Sequence, residues 1–403
     1  MTPSIASEQD VKPDVSHGEF IRTMQVSSES DKGIWQLVKE NPRAIAVAFF
    51  ANCGSFLFGY DVLVQGSITA LPAFSIYFGS PFGEEMILPA LWQGLWQAFA
   101  AIGIMVGAVS NGALQDKFGR KIMLLSGGSV STVATAVTFV SANPASVDTR
   151  RGVLLVGKFI LGISMGIMMS SCQTYVSEIS PPRLRTILLG FYPFFITVGQ
   201  MIAISVVFSR VLDFTTAAFK IPFACQWAFA GYAMLVGVFI PESPVFLVAR
   251  NRISSAERSM RVIYGSSGAS TAERIQLIRA TMEHESMSDG DSNNATYSEC
   301  FKGTNWRRTR IVALLNTLQQ LIGVSLVANS PYFFIMAGMD ANMSLTINQI
   351  GVGLSMACTL ISWVVIAKVG RRTAILCSFT AAGVIFLGMG IAGFWPQNPT
   401  AVR

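Results

Sequence analysis

The sequence predicts an all-α polytopic membrane protein, and three observations carry that expectation. Of its 403 residues 51% are hydrophobic and only 13% charged, whereas soluble domains carry about 25% charged residues. Apolar runs of the length that crosses a bilayer as a helix, about 20 residues, recur nine times. The basic residues between those runs fall in alternate connecting segments, which is the pattern that orients a chain in a membrane. The net charge of +6 is therefore explained by topology, and no nucleic-acid partner is expected.

The elements follow in order. The first 44 residues are polar and contain no apolar stretch of signal-peptide type, so residues 1–44 read as a disordered cytoplasmic tail. Spans are expected at 45–66, 90–114, 122–141, 153–177, 186–207 and 224–241, a six-helix unit over 45–241. A cytoplasmic loop over 242–308 includes two amphipathic helical stretches, "SSAERSMRVIY" and "TAERIQLIRATMEHE". Three more spans, at 309–337, 345–367 and 373–394, make a partial second half over 309–403.

Lys39 and Arg43 lie in the tail, Lys117, Arg120 and Lys121 in the third connection, Arg183 and Arg185 in the fifth, and Lys368, Arg371 and Arg372 near the end. The 67–89 loop has no Lys or Arg and contains Glu84 and Glu85. Positive charge collects on the cytoplasmic side, which places the N-terminus there. "DKFGRK" at 116–121 follows the second span, and "AKVGRR" at 367–372 follows the second span after the long loop. A six-span unit that begins to repeat marks a transporter built from two halves. The second copy holds about three of its six helices, so the sequence reads as C-terminally truncated.

Enzymatic chemistry is not expected, because no nucleophile–base pair, phosphate-binding glycine loop or metal cluster is visible. The six cysteines form no CxxC pair and five lie in apolar runs, which argues against a disulfide framework or a metal site. The two histidines, His17 and His284, lie in polar stretches. No cofactor is implied.

The chemistry concentrates where polar groups interrupt apolar runs. Asp61 sits in "GSFLFGYDVLVQG" (54–66), and an intramembrane charge requires a partner or a water-filled cavity. Lys158, in "VGKFILGISMG", is the candidate partner. Burial favours the neutral acid, while a nearby cation favours the carboxylate. A pair that separates and re-forms as helices rearrange would therefore take up and release a proton. A static buried ion pair, or a Lys158 that snorkels to the outer interface, would account for the same residues. Gln319, Gln320 and Gln200 lie mid-span, where an uncharged polar group needs either a ligand or an inter-helix hydrogen bond. Gly103/Gly107 and Gly162/Gly166 have the spacing of close helix contacts.

Five motifs in order, "GSFLFGYD", "GALQDKFGRK" (112–121), "YVSEISPPRLRT" (175–186), "PESPVFL" (241–247) and "QQLIG" (319–323), resemble the sugar porters of the major facilitator superfamily. "LPALWQGLWQAF" (88–99) is similar to the fungal maltose-permease-like branch of α-glucoside:proton symporters.

The resemblance implies the major facilitator fold, with a complete six-helix N-terminal half and only about three helices of the C-terminal half. It implies proton-coupled transport of a sugar (an α-glucoside such as maltose, or a hexose) by alternating access, in a multi-pass plasma-membrane protein that works as a monomer. Asp61 and Lys158 would couple protons, with Lys158 standing where the family commonly has Arg. Gln319, Gln320, Gln200, Ser325 and Asn329 would contact substrate. Gly112, Asp116, Gly119, Arg120, Lys121, Glu178, Arg185 and Glu242 would form a cytoplasmic conformational lock, echoed by Arg371 and Arg372. The same charges could act simply as topology signals and helix caps. Pro193, where monosaccharide porters carry a contacting Gln, leaves open a non-sugar metabolite as cargo. The incomplete second half leaves open a non-transporting relic or sensor.

Overall fold

Helix begins earlier than the polar composition of the tail suggests. The computed structural model describes residues 34–82, 85–265, 268–288, 300–321, 323, 329–336 and 338–393. Within them α1 (Ile34–Glu40) and α2 (Pro42–Ala51) open the chain. Residues 34–44, expected to be disordered, are therefore helical. Leu37 and Ala44 are buried in one apolar cluster with Val176, Leu184 and Ile263, which is what orders them. Residues 1–33, including His17, lie outside the described residues.

The first span runs through α2, α3 (Cys53–Ser67) and a 3-10 turn at Ile68–Ala70. The junction at Asn52 interrupts the helical ladder, and side chains take over there. Asn52 Nδ2 donates to Ala48 O at 2.8 Å and Ser55 Oγ donates to Asn52 O at 2.6 Å. The 67–89 connection then folds into α4 (Pro72–Phe78) and a hairpin of β1 (Ser80–Phe82) and β2 (Glu85–Ile87), with Ser80 opposite Ile87. Among the described residues this hairpin of three-residue strands is a small addition to an otherwise helical molecule. Glu84 lies outside the described residues.

Five long helices complete the N-terminal half: α5 (Ala90–Phe118), α6 (Arg120–Val140), α7 (Val147–Ile179), α8 (Arg185–Phe208) and α9 (Ala217–Phe239). Most run a few residues beyond the apolar runs that announce them, because backbone hydrogen bonding continues past the hydrocarbon width. At the start of α7, Ser146 Oγ accepts from Thr149 N at 3.2 Å and Asp148 lies in the positive first turn.

Helices α5 and α7 cross on the expected glycines. A Cβ on Gly103 would lie 2.4 Å from Phe159 O, on Gly107 2.2 Å from Ile163 O, on Gly162 2.3 Å from Ala100 O, and on Gly166 2.2 Å from Ile104 O. Any side chain at these positions would hold the two backbones apart.

After α9 come three helices with their own small apolar cluster of Phe246, Leu247, Ala256, Met260 and Ile275. They are α10 (Pro244–Ala249), α11 (Ile253–Tyr264) and α12 (Gly268–Ser288). The last part comprises α13 (Gly303–Leu321), α14 (Ser330–Met336), α15 (Ala341–Val369) and α16 (Arg371–Gly393).

Eight helices among the described residues are long and apolar enough to span a membrane, one fewer than the nine expected. The exception is the expected span 309–337, described as α13 and α14 with Gly323 between them at φ +94°, a conformation that ends a helix of L-residues. The internal repeat is visible in the backbone itself. Gly119 and Gly370, the glycines of the two repeated motifs, take φ of +95° and +83° and separate α5 from α6 and α15 from α16.

The second half leans on the first chiefly through α15 and α8. Trp363 packs against Phe191 and Phe194, with ring centroids 5.7 and 6.1 Å apart. Its indole lies close enough to Gly190 that a Cβ there would be 3.0 Å from Nε1. Nearer the other end, Gln349 Nε2 donates to Ser205 Oγ and Asn348 Nδ2 to Ser67 Oγ, both at 3.4 Å.

Candidate functional site

Four spans of the N-terminal half meet at the intramembrane charge. Lys158 Nζ on α7 donates to Asp61 Oδ1 on α3 at 3.0 Å, and both side chains are 4% exposed. Lys158 therefore turns inward in this conformation, and the snorkelling alternative does not describe it. Asp61 lies nine residues before the end of its span at Ala70, about 14 Å at the helical rise of 1.5 Å per residue.

A third partner, which sequence reasoning missed, comes from α9. Gln226 is fully buried, its Nε2 donates to the same Asp61 Oδ1 at 2.8 Å, and its Oε1 accepts from Thr135 Oγ1 on α6 at 3.4 Å. The available signal was a lone Gln in an apolar span, which states a need for a partner without naming one. Tyr60, beside Asp61, donates its OH to Pro222 O at 2.8 Å and so ties α3 to α9 one turn from Gln226.

The pair is covered on one side by aromatic rings. Lys158 Nζ lies 5.8 Å from the Phe223 ring centroid. Phe223 joins Phe219, which packs edge-on against both Phe74 and Phe78 of α4, while Trp96 closes the cluster. Arg151, 5% exposed, fastens this cover. It donates from Nε to Phe78 O and from Nη2 to Ser80 Oγ, both at 2.8 Å, and pairs with Asp148 at 3.1 Å.

A second polar centre forms at the opposite ends of the same helices. Arg120 donates to Glu178 Oε1 from Nε at 3.1 Å and from Nη2 at 2.9 Å, and lies 3.3 Å from the exposed Asp116 carboxylate. Glu242 Oε1 accepts from the backbone N–H groups of Arg120 at 2.9 Å, Lys121 at 3.2 Å and Ser243 at 3.0 Å. A carboxylate thus caps the N-terminus of α6, where the free N–H groups and the helix dipole favour negative charge. Ser243 Oγ donates to Glu178 Oε2, so the two acids are linked.

Gly119 is required at this junction, since a Cβ would lie 2.3 Å from Glu242 Oε2. Lys121 Nζ donates to Val238 O at 2.7 Å. Gly112 lies on α5 one turn before Asp116. Arg185, expected in this cluster, is exposed at the start of α8 and makes no side-chain ion pair among the described residues. The helix that carries it turns that position outward.

The expected substrate residues are dispersed. Asn329 Oδ1 accepts from Gln97 Nε2 on α5 at 3.1 Å, bridging the two halves. Gln200 is half-buried on α8 with no side-chain hydrogen bond among the described residues. Gln319 and Gln320 fall in the last turn of α13, and their side chains, like Ser325 altogether, lie outside the described residues. Arg372 is exposed at the start of α16, and the Arg371 side chain lies outside the described residues.

This fold, a six-span bundle with a buried charge pair and a polar latch at one end, followed by two further membrane-length helices among the described residues, is that of a multi-pass membrane protein of the major facilitator type. The family model described as "Sugar (and other) transporter" matches residues 47–402, and the chain belongs to that family. The MFS transporter fmqE of Aspergillus fumigatus is 29% identical over 92% of this chain and 69% of its own length. The general alpha-glucoside permease and the maltose permease MAL61 of Saccharomyces cerevisiae are each 28% identical, over 91% and 93% of this chain. This chain spans only 59% and 61% of their respective lengths. Among solved structures, the proton:xylose symporter XylE bound to 6-bromo-6-deoxy-D-glucose superposes with a TM-score of 0.70 at 20% identity. That match covers 82% of this chain and 71% of XylE and establishes the fold. A partially occluded inward-open XylE from E. coli gives 0.68 at 19% identity.

Proposed function

We propose that the chain serves proton-coupled transport of a sugar, an α-glucoside such as maltose or a hexose, by alternating access. The observation that carries this reading is the buried Asp61–Lys158 pair with Gln226 as a third partner. Asp61 is the proton acceptor. Lys158 and Gln226 stabilise its carboxylate while the pair is closed, and a helix movement that separates Lys158 from it favours protonation.

The Arg120–Glu178–Glu242 cluster acts as the cytoplasmic lock, holding the ends of α5, α6 and α7 against the start of the 242–308 segment. Gln200, Gln319, Gln320, Ser325 and Asn329 supply amide and hydroxyl partners for sugar hydroxyls. The N-terminus faces the cytoplasm of a plasma membrane, in accord with the basic residues at 117–121 and 183–185, and the carrier works as a monomer.

Uptake of labelled maltose and glucose into proteoliposomes, with and without an inward pH gradient, tests the reading. Accumulation of either sugar that follows the gradient is the expected result. Failure of both sugars to enter or to compete would remove the sugar assignment. One observation favours a second reading, carriage of a non-sugar metabolite. Pro193 stands within α8, at the position where the resemblance places a contacting Gln in monosaccharide porters, and one relative is named an MFS transporter with no sugar in its name.

A further inference from the structure

The turn between α10 and α11 displays the sequence Arg250-Asn251-Arg252-Ile253-Ser254-Ser255. Arg250, Arg252, Ser254 and Ser255 are all exposed, and Asn251 holds the turn in a left-handed conformation at φ +58°. Two arginines five and three residues before a serine form a fixed pattern of positive charge, the kind of pattern by which kinases with acidic substrate grooves select their targets.

The same segment grips the lock. Arg250 Nη2 donates to Asp116 O at 2.8 Å and Lys117 O at 3.2 Å, the last carbonyls of α5. Arg250 also lies over the Phe246 ring, 5.8 Å from its centroid, and Arg120 lies 5.3 Å from the same centroid. From α11, Ser259 Oγ donates to Glu242 O, and Tyr264 OH donates to Ile179 O at 2.5 Å. The α10–α11 segment thus clasps the ends of α5 and α7 and the residue that caps α6.

We propose that Ser255, with Ser254 beside it, is a phosphorylation site for an arginine-directed protein kinase, and that its phosphate releases Arg250 from α5 and loosens the lock. The proposal rests on the cytoplasmic placement of residues 242–308 stated above, where a nucleoside triphosphate is available. In the transfer, Ser255 Oγ attacks the γ-phosphorus and the Oγ–P bond forms. The bond from that phosphorus to the β–γ bridging oxygen breaks, the nucleoside diphosphate leaves with the electron pair, and the hydroxyl proton passes to the kinase base. The product dianion lies in the first turn of α11, where free N–H groups favour it. It also offers Arg250 and Arg252 charge-assisted bonds stronger than those Arg250 makes to neutral carbonyls.

The test uses the full chain purified in detergent, where both membrane faces are open, with ATP and an arginine-directed kinase. Mass spectrometry should place phosphate on Ser255 or Ser254, and Arg252→Ala should lower incorporation by about tenfold or more, the factor equal to roughly 1.4 kcal/mol of lost recognition. Phosphorylation should speed backbone hydrogen exchange at residues 116–121 in the unaltered chain and leave it unchanged in the Ser254→Ala/Ser255→Ala chain. Phosphate absent from both serines, or incorporation indifferent to Arg252, would overturn the site. Phosphate on them without faster exchange at 116–121 would overturn its link to the lock. Neither readout uses transport, so failure here and failure of the sugar-carrier reading are separable.

Discussion

Replacing Asp61 by Asn isolates the proton from the geometry. The amide oxygen can still accept from Lys158 Nζ and Gln226 Nε2, which lie 3.0 and 2.8 Å from Asp61 Oδ1, but the side chain can no longer take up a proton. One pH unit corresponds to about 1.4 kcal/mol. A carrier that couples one proton to one sugar therefore sustains about tenfold accumulation across a gradient of one unit. In Asp61→Asn proteoliposomes the accumulation ratio should fall from that value towards one, while exchange of labelled for unlabelled sugar continues.

Removing the carboxylate also strands a buried ammonium, and breaking a buried pair costs about 3–5 kcal/mol. The melting temperature of the variant should therefore drop, and adding Lys158→Met should recover part of the loss. Tenfold accumulation by a folded Asp61→Asn protein would refute the coupling role and leave the pair as structure only.

Other perturbations follow from the packing. Gly107→Leu and Gly166→Leu place side-chain atoms where a Cβ alone would be 2.2 Å from a carbonyl of the facing helix. Each should destabilise by at least the 1–3 kcal/mol typical of overpacking, read as a lower melting temperature. Gly94→Ala, with nothing within 4 Å, should leave melting unchanged. Gly119→Ala must accommodate φ +95° and displace the Glu242 carboxylate. It should lower the melting temperature more than Gly94→Ala and expose residues 242–265 to protease. Arg120→Ala leaves Glu178, 14% exposed, without its cation and should cost about 3–5 kcal/mol, whereas Glu178→Gln should cost less. Trp363→Ala removes two aromatic contacts at the junction of α8 and α15, worth about 0.5–1.5 kcal/mol each. Proteolysis within the 242–308 segment should then be faster.

Much of the molecule was legible before its structure. The spans could be placed because bilayer thickness sets helix length locally, and the charge alternation depends only on which connections carry Lys and Arg. Gly103, Gly107, Gly162 and Gly166 announced a close crossing by spacing alone. The pairing of Asp61 with Lys158 was reachable because so few charges interrupt the apolar runs. Other features were not legible. Helix α1 and the start of α2 are ordered by contact with Val176, Leu184 and Ile263, residues far away in sequence. Within the expected span 309–337, the left-handed conformation of Gly323 is a feature that hydropathy does not register. Arg185 belonged to a motif, yet it is exposed at the start of α8 and makes no side-chain ion pair among the described residues.

The sequence alone thus determined the class of protein, the number of the N-terminal spans, the repeat of the two glycine-centred turns, and the acids and bases available for chemistry. These are consequences of local composition, helix periodicity and the length of a bilayer. Only the tertiary structure decided that Lys158 turns inward to Asp61, that Gln226 and Thr135 complete that site, and that Glu242 caps α6 while linked through Ser243 to Glu178. Each of those depends on the angle and depth at which helices cross. That geometry is set by the sum of many side-chain contacts, and no single residue or spacing encodes it.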